Sequence, residues 1–206
     1  MIGRYEYRYA PAAESTAPTL LLLHGTGGDE NDLIPLGQLL LPNANLLSPR
    51  GNVPENGMAR FFLRLQEGVF DQEDLKARTD DLDRFIEIAS SQHGFDPSRV
   101  IAVGYSNGAN IAASLLLRRP ERLRAAVLLH AMVPFEPESV PDLSGKPIFL
   151  SAGRNDPIVP VENTRRLAAL FQAANADLTL HWHDAGHSLT REEAVAARDW
   201  IAAKSV

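Results

Sequence analysis

The sequence predicts an α/β fold: a doubly wound, mostly parallel sheet with helices on both faces and no large lid domain. Two observations carry this. Short, nearly unbroken apolar runs recur at Thr19–His24, Ala44–Ser48, Val100–Val103, Ala125–Leu129, Ile148–Ala152 and Leu178–Trp182, as expected of strands covered on both faces. Between them apolar residues return every three or four positions, the spacing of a helix with one buried face. The two patterns alternate from residue 19 onward, which is the signature of a doubly wound sheet, and such sheets bind ligands beyond the carboxyl ends of their strands.

Taken in order, the chain begins with Tyr5, Tyr7 and Tyr9 alternating with charged residues, the period of a half-solvated edge strand that could pair with a second copy in a homodimer. The strand at Thr19–His24 runs into a glycine-rich loop, His24-Gly25-Thr26-Gly27-Gly28. From Pro49 to about Asp74 the chain has no clear periodicity, and an irregular stretch of that length in a compact domain is usually functional. Leu82, Phe85, Ile86 and Ala89 form one helical stripe, Leu167, Leu170, Phe171 and Ala174 another, and Ala197, Trp200 and Ile201 a third. No repeat interrupts this order, so residues 1–206 read as one domain.

Composition excludes several classes. The 206 residues carry 20 Lys and Arg against 26 Asp and Glu, a formal charge of −6 without a basic cluster, which argues against a nucleic-acid partner. No apolar run approaches the roughly 20 residues of a membrane span, and the opening MIGRYEYRYA lacks the apolar stretch of a secretory signal, so a cytoplasmic protein is expected. There is no cysteine. Covalent chemistry therefore falls to serine, aspartate and histidine.

Gly104-Tyr105-Ser106-Asn107-Gly108 follows a strand and precedes the alanine-rich stretch ANIAASLLL. G-x-S-x-G in that setting places the serine on a sharp turn at the top of a sheet, with its hydroxyl clear of the backbone. The alternative is a Gly-Ser turn whose serine caps the helix. A nucleophilic serine needs a base and an orienting acid, in the chain order Ser, acid, His. Asp156, in Gly153-Arg154-Asn155-Asp156-Pro157, and His187, in Asp184-Ala185-Gly186-His187, each lie just beyond a strand end in that order. Asp156 could otherwise be a turn residue and His187 a helix cap; Asp184 is a rival acid. For an oxyanion the amides of Thr26 and Asn107 are the expected donors, and His24 is expected to be a buried histidine that shapes the Thr26 loop.

His181, His183 and His187 superficially suggest a metal cluster, but the first two simply share a strand face, so no metal is expected. The glycine loop matches no nucleotide-binding pattern, and no cofactor is expected. Phe62, Met132 and Val159 are candidates for the pocket wall, each of which core packing would explain equally well.

With these residues in hand, the sequence resembles the carboxylesterase and acyl-protein thioesterase family of α/β hydrolases, through LLLLHGTGGDE, PRGNVPENGMARFF, GYSNGAN, GRNDPIVP and AGHSL in family order. The RFF and EGVFD segments look closer to its small bacterial esterases. The resemblance implies the α/β-hydrolase fold and a serine hydrolase of small carboxylic esters or thioesters. It also implies the triad Ser106, Asp156 and His187, with an oxyanion hole at Thr26 and Asn107. A ligand-binding protein without turnover, or an amidase using the same triad, are the alternatives. The elements from Thr19 to Ile201 leave mainly Pro49–Asp74 to cover the site, so an open site for a small ester is expected.

Overall fold

A computed structural model describes residues 3–204. The chain opens with strand β1 (Tyr7–Ala10), followed by β2 (Thr19–Leu23), helix α1 (Ile34–Leu40) and β3 (Asn45–Pro49). Four short strands come next: β4 (Val53–Glu55), β5 (Met58–Arg60), β6 (Arg64–Gln66) and β7 (Val69–Phe70). Helix α2 (Gln72–His93) leads to β8 (Val100–Tyr105), α3 (Asn107–Arg118) and β9 (Ala125–Leu129). The chain then closes with β10 (Pro147–Gly153), α4 (Val161–Ala173), β11 (Asp177–His183) and α5 (Arg191–Lys204). Seven strands form one sheet in the order β1-β3-β2-β8-β9-β10-β11. Only β1 runs antiparallel to its neighbour.

The alternation of side chains along β2 shows how the layers are made. Leu21 and Leu23 face one core with α2, α3 and α4, while Leu20 and Leu22 face a second with α1 and α5. All four leucines are fully buried. At roughly 1.5–3 kcal/mol for each large apolar side chain removed from water, both faces of the sheet contribute to stability. This is the α/β-hydrolase architecture, with helices on both faces and, among the described residues, no large lid. No helix among the described residues is long and apolar enough to cross a membrane.

The sequence and the structure part in two places. Residues 49–74 are not irregular: β4 and β5 pair as one hairpin, β6 and β7 as another. The first turns at Asn56-Gly57, whose φ angles of 51° and 80° suit the tight turn that matches strand twist. Tyr5 is not half-solvated. Its ring is buried against α2, with its centroid 5.1 Å from that of Phe85, while Tyr9 stacks on His93 at 3.9 Å. The tyrosine face of the edge strand is thus covered by the end of α2.

Candidate active site

Ser106 stands between β8 and α3 with φ 52° and ψ −113°, a strained conformation for a residue with a side chain. Its two flanking glycines explain how the turn is closed. A Cβ on Gly108 would lie 1.9 Å from the Leu23 carbonyl oxygen, and one on Gly104 would lie 2.6 Å from the Gly108 oxygen. Helix and sheet approach so closely that neither position can carry a side chain.

Three side chains from three loops meet at this turn. His187 Nε2 is 2.8 Å from Ser106 Oγ, and His187 Nδ1 is 2.7 Å from Asp156 Oδ2. Asp156 lies three residues past the end of β10 with its side chain buried, and its other oxygen accepts from the amides of Ile158 and Val159 at 2.8 and 3.0 Å. Burial alone would raise its pKa; the Val159 amide, His130, His187 and the Ile158 amide outweigh burial and hold the carboxyl below its ordinary value. Asp184, the rival acid, points away: its side chain is 88% exposed and faces Arg154. The loops carrying Asp156 and His187 are joined by the amide of Asn155, which donates to the Ala185 carbonyl.

The Thr26 loop closes the opposite side. His24 donates from Nδ1 to the Gly25 carbonyl at 2.7 Å and accepts at Nε2 from the Gly51 amide at 2.9 Å, so it shapes the loop as a neutral imidazole. Burial is the main cause that holds its pKa below the ordinary value, a shift the adjoining Gly25 carbonyl, Asp32 and Asp29 only partly offset. Thr26 Oγ1 accepts from Arg60 Nη1 at 2.6 Å, the Gly27 amide donates to the Ala59 carbonyl, and the Phe61 amide donates to Asn107 Oδ1 at 2.8 Å. The hairpin β4–β5 and the residue after it are therefore stitched to both predicted oxyanion donors. Among the described residues, neither the Thr26 nor the Asn107 amide is taken up by a turn.

A cavity of about 290 Å³ opens over Ser106, lined by Thr26, Asn107 and His187 at the reacting end and by Met132 and Val159 at the wall. Phe62 corrects the expectation: it does not line this cavity. It is fully buried and packs edge-on against Phe70 at 5.0 Å, and Phe70 supplies the wall instead. Arg60 and Arg64 also border the cavity, where Glu55 partners Arg64 at 2.8 Å.

Two residues near Ser106, Asp156 and His187 escape sequence reasoning. His130 follows β9 with φ 57° and is fully buried, its Nδ1 2.8 Å from the same Asp156 oxygen that His187 uses. Glu193, in the first turn of α5, is also fully buried. The signal for His130 was its place at the carboxyl end of a central strand. For Glu193 it was Thr190-Arg191-Glu192-Glu193, which reads as a capping box. Half of that box forms, since the Glu193 amide donates to Thr190 Oγ1, but the carboxylate turns inward instead of back. His130, His183 and Glu193 bring three donor atoms within 4.8 Å of one another. All three side chains are buried, and His130 borders the cavity over Ser106.

A family model described as the dienelactone hydrolase family matches residues 59–205. A Bacillus subtilis protein, MhqD, named as a hydrolase, is 51% identical over 181 residues, covering 88% of this chain and 90% of its own. The crystal structure of a Bacillus cereus carboxylesterase superposes with a TM-score of 0.94 at 47% identity, over 96% of this chain and 93% of that one. An acyl-protein thioesterase from Cryptococcus neoformans is 27% identical over 165 residues, 71% of this chain and 69% of its own.

Proposed function

The chain belongs to the dienelactone hydrolase family and is a hydrolase of the esterase type, and from that premise we propose that it cleaves small carboxylic esters or thioesters through an acyl-enzyme, with Ser106 as nucleophile, His187 as base and Asp156 as the group that orients His187. The observation that carries this reading is the unbroken line Ser106 Oγ, His187 Nε2, His187 Nδ1, Asp156 Oδ2, with contacts of 2.8 and 2.7 Å. Both lie within the reach that proton transfer requires.

In the first half-reaction Ser106 Oγ attacks the carbonyl carbon while His187 Nε2 takes its proton. The negative charge that develops on the carbonyl oxygen is received by the Thr26 and Asn107 amides, the latter at the N-terminus of α3. The bond to the leaving group breaks, and His187 passes the proton to the departing oxygen or sulfur. Water then repeats the sequence on the acyl-serine and releases the acid. Asp156 stabilises the imidazolium at each stage and keeps its own negative charge.

The modest cavity and its mixed lining favour an acyl group of a few carbons. A fluorophosphonate probe tests the reading directly: it should label the native protein and leave Ser106→Ala unlabelled. A series of p-nitrophenyl esters then sizes the acyl site, with activity falling once the chain outgrows the cavity. An unlabelled native protein that hydrolyses no ester of the series would overturn the proposal.

A further inference from the structure

The group behind Asp156 has no part in the mechanism above, yet it is the most deeply buried set of titratable side chains near the cavity. Glu193 has no exposed surface, and neither of its carboxylate oxygens has a hydrogen-bond partner. Two imidazoles face it: His130 Nε2 at 3.4 Å from one oxygen and His183 Nε2 at 3.6 Å from the other. A buried carboxylate without compensation costs several kcal/mol, and here a protonated imidazole supplies the opposite charge that the neighbouring Ser151 hydroxyl cannot.

His130 is the better placed of the two. It lies between two carboxylates, with Asp156 Oδ2 2.8 Å from Nδ1 and Glu193 beyond Nε2. Charged, it gains from both; neutral, it can donate to only one of them. The groups around it come from every neighbouring element: Tyr105 at the end of β8, Ser151 of β10, Asp156 after β10, His183 of β11, His187 after β11 and Glu193 of α5. Burial opposes its charge, but Glu193 and then Asp156 outweigh burial and raise its pKa above the ordinary histidine value.

Resting on the triad reading, we propose that His130 and Glu193 form a buried ion pair that acts as a positioning device for the acid: the imidazolium of His130 pins the same Asp156 Oδ2 that His187 uses and so fixes the line from Asp156 to His187 Nδ1. With the Ile158 and Val159 amides on Oδ1, and His130 and His187 on Oδ2, all four acceptor sites of the carboxylate are filled. Asp156 therefore has no freedom to rotate away.

Two measurements test this, one of which needs no activity. Nitrogen-15 NMR of the histidine-labelled protein, which has six histidines, should show on pH titration one ring that keeps its second proton above the ordinary histidine value of 6.5, and His130→Gln should remove that signal. In Glu193→Gln the same ring should lose its proton at a lower pH than in the native protein. No ring that stays charged above pH 6.5, or stoichiometric metal in the purified protein, would overturn the ion pair. The second measurement separates kcat from KM on p-nitrophenyl acetate. His130→Gln should lower kcat roughly fivefold with KM unchanged, the rate factor expected when one hydrogen bond that aims the acid is lost; an unchanged kcat in a folded variant would reduce His130 to a packing residue. Should His130→Gln fail to fold, the native and Glu193→Gln spectra still decide. A failed triad reading shows itself separately, as absent hydrolysis and labelling with the NMR result intact.

Discussion

The hydroxyl of Tyr105 donates a 2.7 Å hydrogen bond to the main-chain carbonyl of His187. The residue just before Ser106 thereby holds the loop that carries His187. Their rings are also close, with centroids 5.6 Å apart, so the variable position of G-x-S-x-G has a task of its own.

Tyr105→Phe keeps the ring and removes one half-buried hydrogen bond, worth about 1 kcal/mol. If the bond serves to aim His187, kcat should fall roughly fivefold with KM unchanged, since that energy corresponds to such a factor in rate. Steady-state kinetics separate the two parameters. A change confined to KM would move Tyr105 from the support of the base to the substrate wall.

The two candidate acids differ in burial, which allows a paired comparison. Asp156→Asn should lower kcat by about 10³–10⁴-fold, because the amide favours the wrong tautomer of His187. Asp184→Ala should stay within about twofold, as expected for an exposed side chain whose one charged contact is at the surface. The opposite pattern would reassign the acid.

His24 links pH to stability. Its pKa is held below the unfolded value of 6.5, so the native state resists taking a proton that the unfolded chain accepts. Its contribution is therefore complete above pH 6.5 and is lost as pH falls through the lower folded value. The charged ring would still donate to the Gly25 carbonyl but could no longer accept from the Gly51 amide. Urea midpoints of the native protein and His24→Asn should differ most at pH 7 and above, and converge toward pH 5. A gap independent of pH would mean that charging His24 is not opposed by the fold.

What could be read from the sequence was local or periodic. The strands of the sheet announce themselves because both faces of each are apolar, and Ser106, Asp156 and His187 lie where strand ends put them. What escaped depends on contacts between distant segments. Phe62 and Phe70 are both aromatic and eight residues apart, and only the hairpin decides which one meets the cavity. Glu193 carries the signature of a helix cap, so nothing local reveals that its carboxylate turns toward His130. The β4–β5 hairpin could have been read, since Asn56-Gly57 is a strong turn signal; the apparent lack of periodicity around it obscured a strand of only three residues.

The stitching of the hairpins divides the cavity wall into a half committed to the rate and a half at liberty to change. Residues 51–61 reach His24, Gly27, Thr26 and Asn107 through four hydrogen bonds, so altering them disturbs the proposed oxyanion donors. Residues 64–69 carry Arg64, Glu67 and Gly68 to the cavity and meet the first hairpin through the Arg64–Glu55 pair, one ion pair removed from the Arg60 that holds Thr26. On the proposed reading, selectivity can be redesigned in the second hairpin at less cost in turnover than in the first, where speed is traded for every change in taste.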